Sequence, residues 1–273
     1  MKAGRGFRRH IPRLLRILKA SRFTGDIVVE AHNNVVSLTR LDEPWLPGAG
    51  LRKGHVLYYY LLIAGYLLPL LRNRPVALEH LFPDRELPDY LRTFPVTGSE
   101  AALPVINNLA SLLYAINDGT RILRARHSTV AAPEFPDRLV FEVKLEGYMA
   151  ETAATAQEVR NRLEARHLLC HPITSENGIH IVVPVDPIHP PGLLSEFARR
   201  VCGGLPGVSQ PEDCTIVPCS ICGPNGAVSA PLLWEEVNRT LRPESFTVKN
   251  IRRRMLRIGR SLSGLLRNRQ DLS

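Results

Sequence analysis

Acid is missing from the first 23 residues. Lys2, Arg5, Arg8, Arg9, Arg13, Arg16, Lys19 and Arg22 stand there unopposed, a charge of +8. The other end is nearly as one-sided, with Lys249, Arg252, Arg253, Arg254, Arg257, Arg260, Arg267 and Arg269 against Asp271 alone, +7. Of the net +9 that leaves −6 for residues 24–248, so the body is mildly acidic and the cations lie in two outer segments. Such segments favour a polyanion, either nucleic acid or an acidic membrane surface, or they form solvated helix faces. Cysteine is also scarce. Cys170, Cys202, Cys214, Cys219 and Cys222 are odd in number and late in the chain, which argues against a secreted disulfide framework and for a reducing cytoplasm. No apolar stretch with a small-residue cleavage site follows the basic N-terminus, so no cleavable signal peptide is expected. The longest apolar run, Val56–Leu71, has 16 residues, short of the roughly 20 that span a bilayer. Pro69 and several tyrosines interrupt it, and a helix apolar all round is usually buried. Internal repeats and low-complexity segments are absent.

What is present reads as one large domain, or one domain in two lobes, within 273 residues. Pro12 to Arg22 sets Leu14, Leu15, Ile17 and Leu18 against Arg13, Arg16, Lys19 and Arg22. That is a basic amphipathic helix suited to lipid, to DNA or to the protein's own body. Residues 26–30 and 35–39 predict a hairpin turned at Asn33-Asn34, and 76–79 a strand. Helices are expected at Val105–Ile116, 152–167, Gly192–Cys202 and 251–258, with strands at 179–184, 214–217 and 227–230. Phe246–Lys249 reads as a strand or an extended arm. The helix at 152–167 joins the strands on either side of it in a βαβ-like or split α+β arrangement. Boundaries follow the charge: a basic extension at 1–23, a body at 24–248, and a basic helix and tail at 249–273.

The central stretch is Arg138-Leu-Val-Phe-Glu-Val-Lys-Leu-Glu146. Its period of two puts Glu142, Lys144 and Glu146 on one face, with apolar residues behind. Acidic side chains on one face of a strand are a common way to hold metal for phosphoryl chemistry; here the middle position is a lysine.

Several runs, in order, resemble the polymerase domain of bacterial DNA ligase D, in the archaeo-eukaryotic primase superfamily. They are Leu46-Pro47 with Lys53-Gly54; Tyr59-Tyr60 and Leu68-Pro69; Arg72-Asn-Arg-Pro75; Leu87-Pro-Asp-Tyr-Leu-Arg92; and Asn108-Leu-Ala-Ser-Leu-Leu-Tyr114. Further on come Phe135-Pro-Asp-Arg-Leu-Val-Phe141; Thr174-Ser175 with Gly178-Ile-His180-Ile-Val-Val-Pro184; Val228-Ser-Ala-Pro-Leu-Leu-Trp-Glu-Glu-Val237; and Phe246-Thr-Val-Lys-Asn250. Together they cover roughly residues 35–260.

The resemblance implies an α/β (α+β), two-lobed primase-polymerase fold with mixed sheets flanked by helices. It implies extension or filling of DNA ends, with two divalent metals (Mg or Mn) held by three carboxylates. The first two carboxylate positions are held here by Glu142 and Lys144, and the third falls on Pro218 in Ile216-Val-Pro218-Cys219. The family's triphosphate-binding loop is one residue shorter here and lacks its lysine, keeping Ser175 and His180 as nucleotide-binding candidates. Its His-Pro-Trp run aligns with Arg124-Ala-Arg126, unless His127 takes the role, and a basic loop before Val228 is deleted. Of two lysines that grip a downstream 5′-phosphate, Lys53 matches one and Glu43 reverses the other.

These changes predict a catalytically impaired, DNA-end-binding accessory of non-homologous end joining, located in the cytoplasm. Lys53, Arg52, Arg72, Arg74, Arg252, Arg253 and Arg254 are the expected DNA contacts. Glu142 is left as a weak metal ligand, and nucleotide and other end-joining proteins are further candidate partners. The rival readings are an active primer-extending polymerase with a rebuilt metal site, and a membrane- or partner-bound module. Lys144 either replaces metal charge or pairs with Glu142 or Glu146, and His180 is either a phosphate ligand or a structural residue. Cys214, Cys219 and Cys222, with Cys202 upstream, superficially suggest a zinc or iron–sulfur site, but a fourth ligand and paired spacing are lacking. Asp118, His167, His171 and His189 have no partner by spacing.

Overall fold

A computed structural model describes residues 4–78, 87–96, 99–145, 147–210, 214–223, 225–259 and 264–272. The first half runs α1 (Gly4–Ala20), β1 (Ile27–Ala31), β2 (Asn34–Leu38), β3 (Pro44–Leu46), β4 (Leu51–Arg52), α2 (Lys53–Leu71) and β5 (Val76–Ala77). It continues with β6 (Thr93–Val96), β7 (Ser99–Pro104), α3 (Leu109–Asn117) and β8 (Arg124–Arg126). The second half comprises β9 (Arg138–Lys144), α4 (Met149–Glu164), β10 (His171–Thr174), β11 (Gly178–Pro184), α5 (Pro191–Cys202) and β12 (Val208–Ser209). Then come β13 (Cys214–Ile216), α6 (Ile251–Ile258) and α7 (Gly264–Arg267).

Two apolar cores divide these elements. The first centres on α2, whose Val56, Leu57, Tyr60, Leu61, Ile63, Ala64 and Leu67 are fully buried. By length and composition this 19-residue helix could cross a membrane. Instead α1, α3 and α6 pack against it, and each fully buried Leu or Ile contributes about 1.5–3 kcal/mol. Its two buried phenols are partnered: Tyr59 donates to the Cys219 carbonyl and Tyr60 to that of Arg121, each at 2.5 Å. The amphipathic N-terminal helix therefore lies on the protein's own body, burying Leu14 and Leu18 and leaving Arg13, Arg16 and Lys19 exposed.

The second core lies under a four-stranded sheet in the order β10-β11-β9-β12, with every neighbouring pair antiparallel. Strand β10 thus runs parallel to β9 with β11 inserted between them, a split β-α-β extended by α5 and β12. Leu139, Phe141 and Val143 pack with Ala156, Val159 and Leu163 of α4 and Leu194, Ala198 and Val201 of α5. Gly178 opens β11 where it must be glycine, since a Cβ there would meet the Val143 carbonyl oxygen at 2.1 Å.

The structure corrects several expected boundaries. The hairpin turns at His32-Asn33, both with positive φ (50° and 60°), as a two-residue turn requires. Helix α3 starts at Leu109 because Asn108 caps it, accepting from the Ser111 N–H at 2.9 Å, while Val105 bridges to Pro75. Helix α4 begins and ends about a turn early, and His167 beyond it is left-handed (φ 59°). Only Val76–Ala77 of the expected strand at 76–79 is formed among the described residues, and position 79 lies outside them. Phe246–Lys249 forms no strand beyond one bridge, Thr247 to Ala227. Strand β10 was not foreseen, because Pro172 and the turn signals at 174–178 mask it.

The expected basic tail is also structured where it is described. Leu265 of α7 packs on Val140, Ile173 and Val182. Gln270 exchanges both hydrogen bonds with the backbone of Leu169 (2.6 and 2.9 Å). Asp271 pairs with His189 at 3.0 Å, a partner that spacing alone did not reveal.

Candidate functional site

Alternation along β9 puts Arg138, Val140, Glu142 and Lys144 on the sheet face opposite α4 and α5. Cross-strand register sets Glu142 between His180 of β11 and Ser209 of β12. His180 is buried, and its Nε2 lies 3.6 Å from Glu142 Oε1. Contact with the His180 ring, with smaller help from Lys144 and Ser209, holds the Glu142 carboxyl below the usual glutamate range despite partial burial. The carboxylate is thus ionised at neutral pH and already engaged by protein groups. Lys144 is exposed at the end of the strand, and Glu146 lies outside the described residues. Pro218 is buried between β13 and the left-handed Cys219 (φ 69°), and its side chain offers no oxygen.

A pair of divalent ions does not fit this arrangement. Hard cations need several oxygen ligands each, and the described residues of this face supply one carboxylate, Glu142, and an ammonium two residues on. Among the described residues no three His, Cys, Asp or Glu side chains converge on a common point. The cysteines are free thiols, and Cys219 and Cys222 are pushed up to about 12 by burial, as expected of apolar packing rather than metal-bound thiolate.

The loop between β10 and β11 is tied to a neighbouring strand by an ion pair. Glu176 accepts from Arg124 at 2.7 Å, so Arg124 ties β8 to this loop. Ser175 is buried with its Oγ unpartnered among the described residues. The segment before Val228 turns back tightly, with Ile221 bridging Val228.

The expected DNA contacts separate into two groups. Arg52, Arg72, Arg252 and Arg253 are exposed. Arg74 and Arg254 are not free for DNA: Arg74 is buried against Asp137 at 2.8 Å, and Arg254 pairs with Glu236 and lies over the Phe246 ring. Lys53, the first residue of α2, is fully buried. Its Nζ stands 5.3 Å over the Trp45 ring with no hydrogen-bond partner among the described residues. Burial first, and then Arg40, lower its pKa, opposed by Glu43, Asp118 and Asp26.

A cluster that sequence reasoning did not single out lies at the other end of β9. Asp137 and Arg138 are both buried, with Arg138 Nε 3.6 Å from Asp137 Oδ1, and Arg269 reaches Asp137 Oδ2 at 3.2 Å. Buried His127 lies beside them. The only signal in the sequence was the run Pro136-Asp137-Arg138, noticed for its resemblance and not for its charges.

The family model described as LigD, primase-polymerase domain, matches residues 52–216. Over 195 residues the chain is 29% identical to the multifunctional non-homologous end joining protein LigD of Mycolicibacterium smegmatis, covering 62% of this chain and 25% of that protein. It is 24% identical over 260 residues to the bifunctional non-homologous end joining protein LigD of Bacillus subtilis, covering 80% and 42% respectively. The chain spans less than half the length of these curated relatives. Among solved structures, the polymerase domain from Mycobacterium tuberculosis ligase D in complex with DNA is similar, with a TM-score of 0.71 at 21% identity. That match covers 84% of this chain and 98% of the other, and it supports the mixed α+β fold described above.

Proposed function

This chain belongs to the LigD primase-polymerase domain family, and on that footing we propose that it binds DNA ends in non-homologous end joining without supporting efficient nucleotide transfer. One observation carries this reading: the face of β9 that would hold metal presents Glu142 as its one described carboxylate and Lys144 two residues on, and the third carboxylate position that the resemblance implies falls on buried Pro218. Cationic surface remains at Arg52, Arg72, Arg252 and Arg253. These side chains act on phosphate without regard to sequence and with strong salt dependence. Lys53 is assigned to the 5′-phosphate of an end. Its buried ammonium at the first turn of α2 has no hydrogen-bond partner among the described residues, which supports that assignment. The solved relative bound to DNA is consistent with the same use of this fold. The free thiols agree with a cytoplasmic location.

A salt-titrated gel shift on DNA ends with and without a 5′-phosphate tests this. Binding at low salt that weakens steeply as salt rises, and that prefers the phosphorylated end, is expected. Replacing Arg252 and Arg253 by Glu should flatten the salt slope by about 0.9 per lost phosphate contact. No binding at low salt would sink the reading, and binding blind to the phosphate removes Lys53 from it. Manganese-dependent primer extension that vanishes in Glu142→Ala would replace it with an active polymerase.

A further inference from the structure

A cavity of about 390 Å³ opens beside the Asp137–Arg138 end of β9, and three independent features of its wall attract an anion. The first is Arg138, buried yet bordering the cavity, whose only ion-pair partner among the described residues is Asp137. The second is His127, 5% exposed, which borders the same space with a buried Nε2 that has no hydrogen-bond partner among the described residues. The third is the N-terminal end of α5, which borders the cavity through its cap residue Pro190 and through Pro191, Leu194 and Ser195. This 12-residue helix has no side-chain cap and no acid in its first turn, so the positive end of its dipole is uncompensated.

Charge counting points the same way. Among the described residues Asp137 is the single carboxylate touching Arg74, Arg138 and Arg269, so that cluster holds a surplus of positive charge in a partly desolvated place. An incoming anion would relieve that surplus through charge-assisted hydrogen bonds. Burial lowers Arg138 to about 9, which leaves it charged at neutral pH. Burial, with Arg138 and Arg74 nearby, holds His127 at about 3, so its ring is neutral and contributes a hydrogen bond without adding a charge. The rest of the wall is different in kind. Phe135 and Pro133 flank the mouth with Pro136 and the two prolines of α5, giving an apolar surface for an organic group, and exposed Glu134 sits at the rim.

We propose that this cavity binds a small phosphate monoester, with the phosphate on Arg138, His127 and the first turn of α5, and the organic part against Phe135 and the prolines. A volume near 390 Å³ is of the size that holds such molecules. The site does not depend on the DNA-end reading, since it uses none of the residues assigned there.

Isothermal titration of the full chain with AMP, inorganic phosphate and adenosine, in the absence of DNA, tests it. AMP is expected to bind at least about tenfold more tightly than either fragment. Ser195→Glu, an exposed substitution that sets a negative charge on the cavity wall just past the first turn of α5, should weaken AMP at least about tenfold while leaving thermal unfolding unchanged. Arg138→Gln should weaken it further; Ser195→Glu remains decisive if that variant folds poorly. The proposal is overturned if AMP shows no binding, if adenosine matches AMP, or if Ser195→Glu binds AMP like the parent. Inorganic phosphate binding as tightly as AMP would overturn the monoester assignment in favour of an inorganic anion.

Discussion

The two ends of β9 have been built to different standards. At its start, Asp137 and Arg138 are buried, and Arg74, Arg269 and His127 close around them. At its end, Glu142 is half-buried between His180 and Ser209, and Lys144 stands in solvent. Charges at the buried end cannot be removed singly without leaving a neighbour uncompensated, so the fold itself holds them in place. Charges at the exposed end are screened by water, and their loss costs the fold little. Side chains at the exposed end of β9 can therefore be exchanged while the fold keeps its shape.

The largest test of that contrast is Asp137→Ala. It should cost about 3–5 kcal/mol in urea unfolding by stranding Arg74 and Arg138; a loss below about 1 kcal/mol would show that water reaches the cluster. Next comes pH. Burial alone would raise the Asp137 carboxyl, but Arg74, Arg138 and Arg269 outweigh it and hold it below the usual aspartate range. Its stabilising contribution is then complete above the unfolded value, about 3.9, and is lost as pH falls through the lower folded value. Acid unfolding below about pH 4 should be less steep in Asp137→Asn. A third test adds a carboxylate at the exposed end: Lys144→Asp should create weak manganese binding, seen by electron paramagnetic resonance and lost again with Glu142→Ala, whereas the parent shows none. The smallest effect is expected for Glu142→Gln, at most about 1 kcal/mol. A larger loss would mean that the Glu142–His180 pair is structural after all.

Much of this was legible in the chain. A period of two fixed β9 and its faces, and unbroken apolarity marked α2 as a core helix, because both patterns depend on local geometry that tertiary contacts reinforce. The ordered short runs carried the family, and the lysine and proline at 144 and 218 carried the expectation of lost chemistry. Long-range pairing was harder to read. Arg74 and Arg254 looked like DNA contacts because an isolated arginine carries no mark of its partner, and their carboxylates lie 63 and 18 residues away. The buried cluster escaped notice for the same reason. Strand β10 was hidden by a proline that an edge strand tolerates, and the docked C-terminal segment by its basic composition.

That segment also acts as a mechanical stop. Helix α6 is anchored in the first core through Ile251 and Met255, and Leu265 is anchored on the sheet of the second. Between Gly259 and Gly264 there are only five peptide links, which at full extension reach about 18 Å. Rigid-body parting of the lobes at this point cannot exceed that span while both anchors hold. Any wider separation of the two cores requires residues 264–272 first to let go of the sheet.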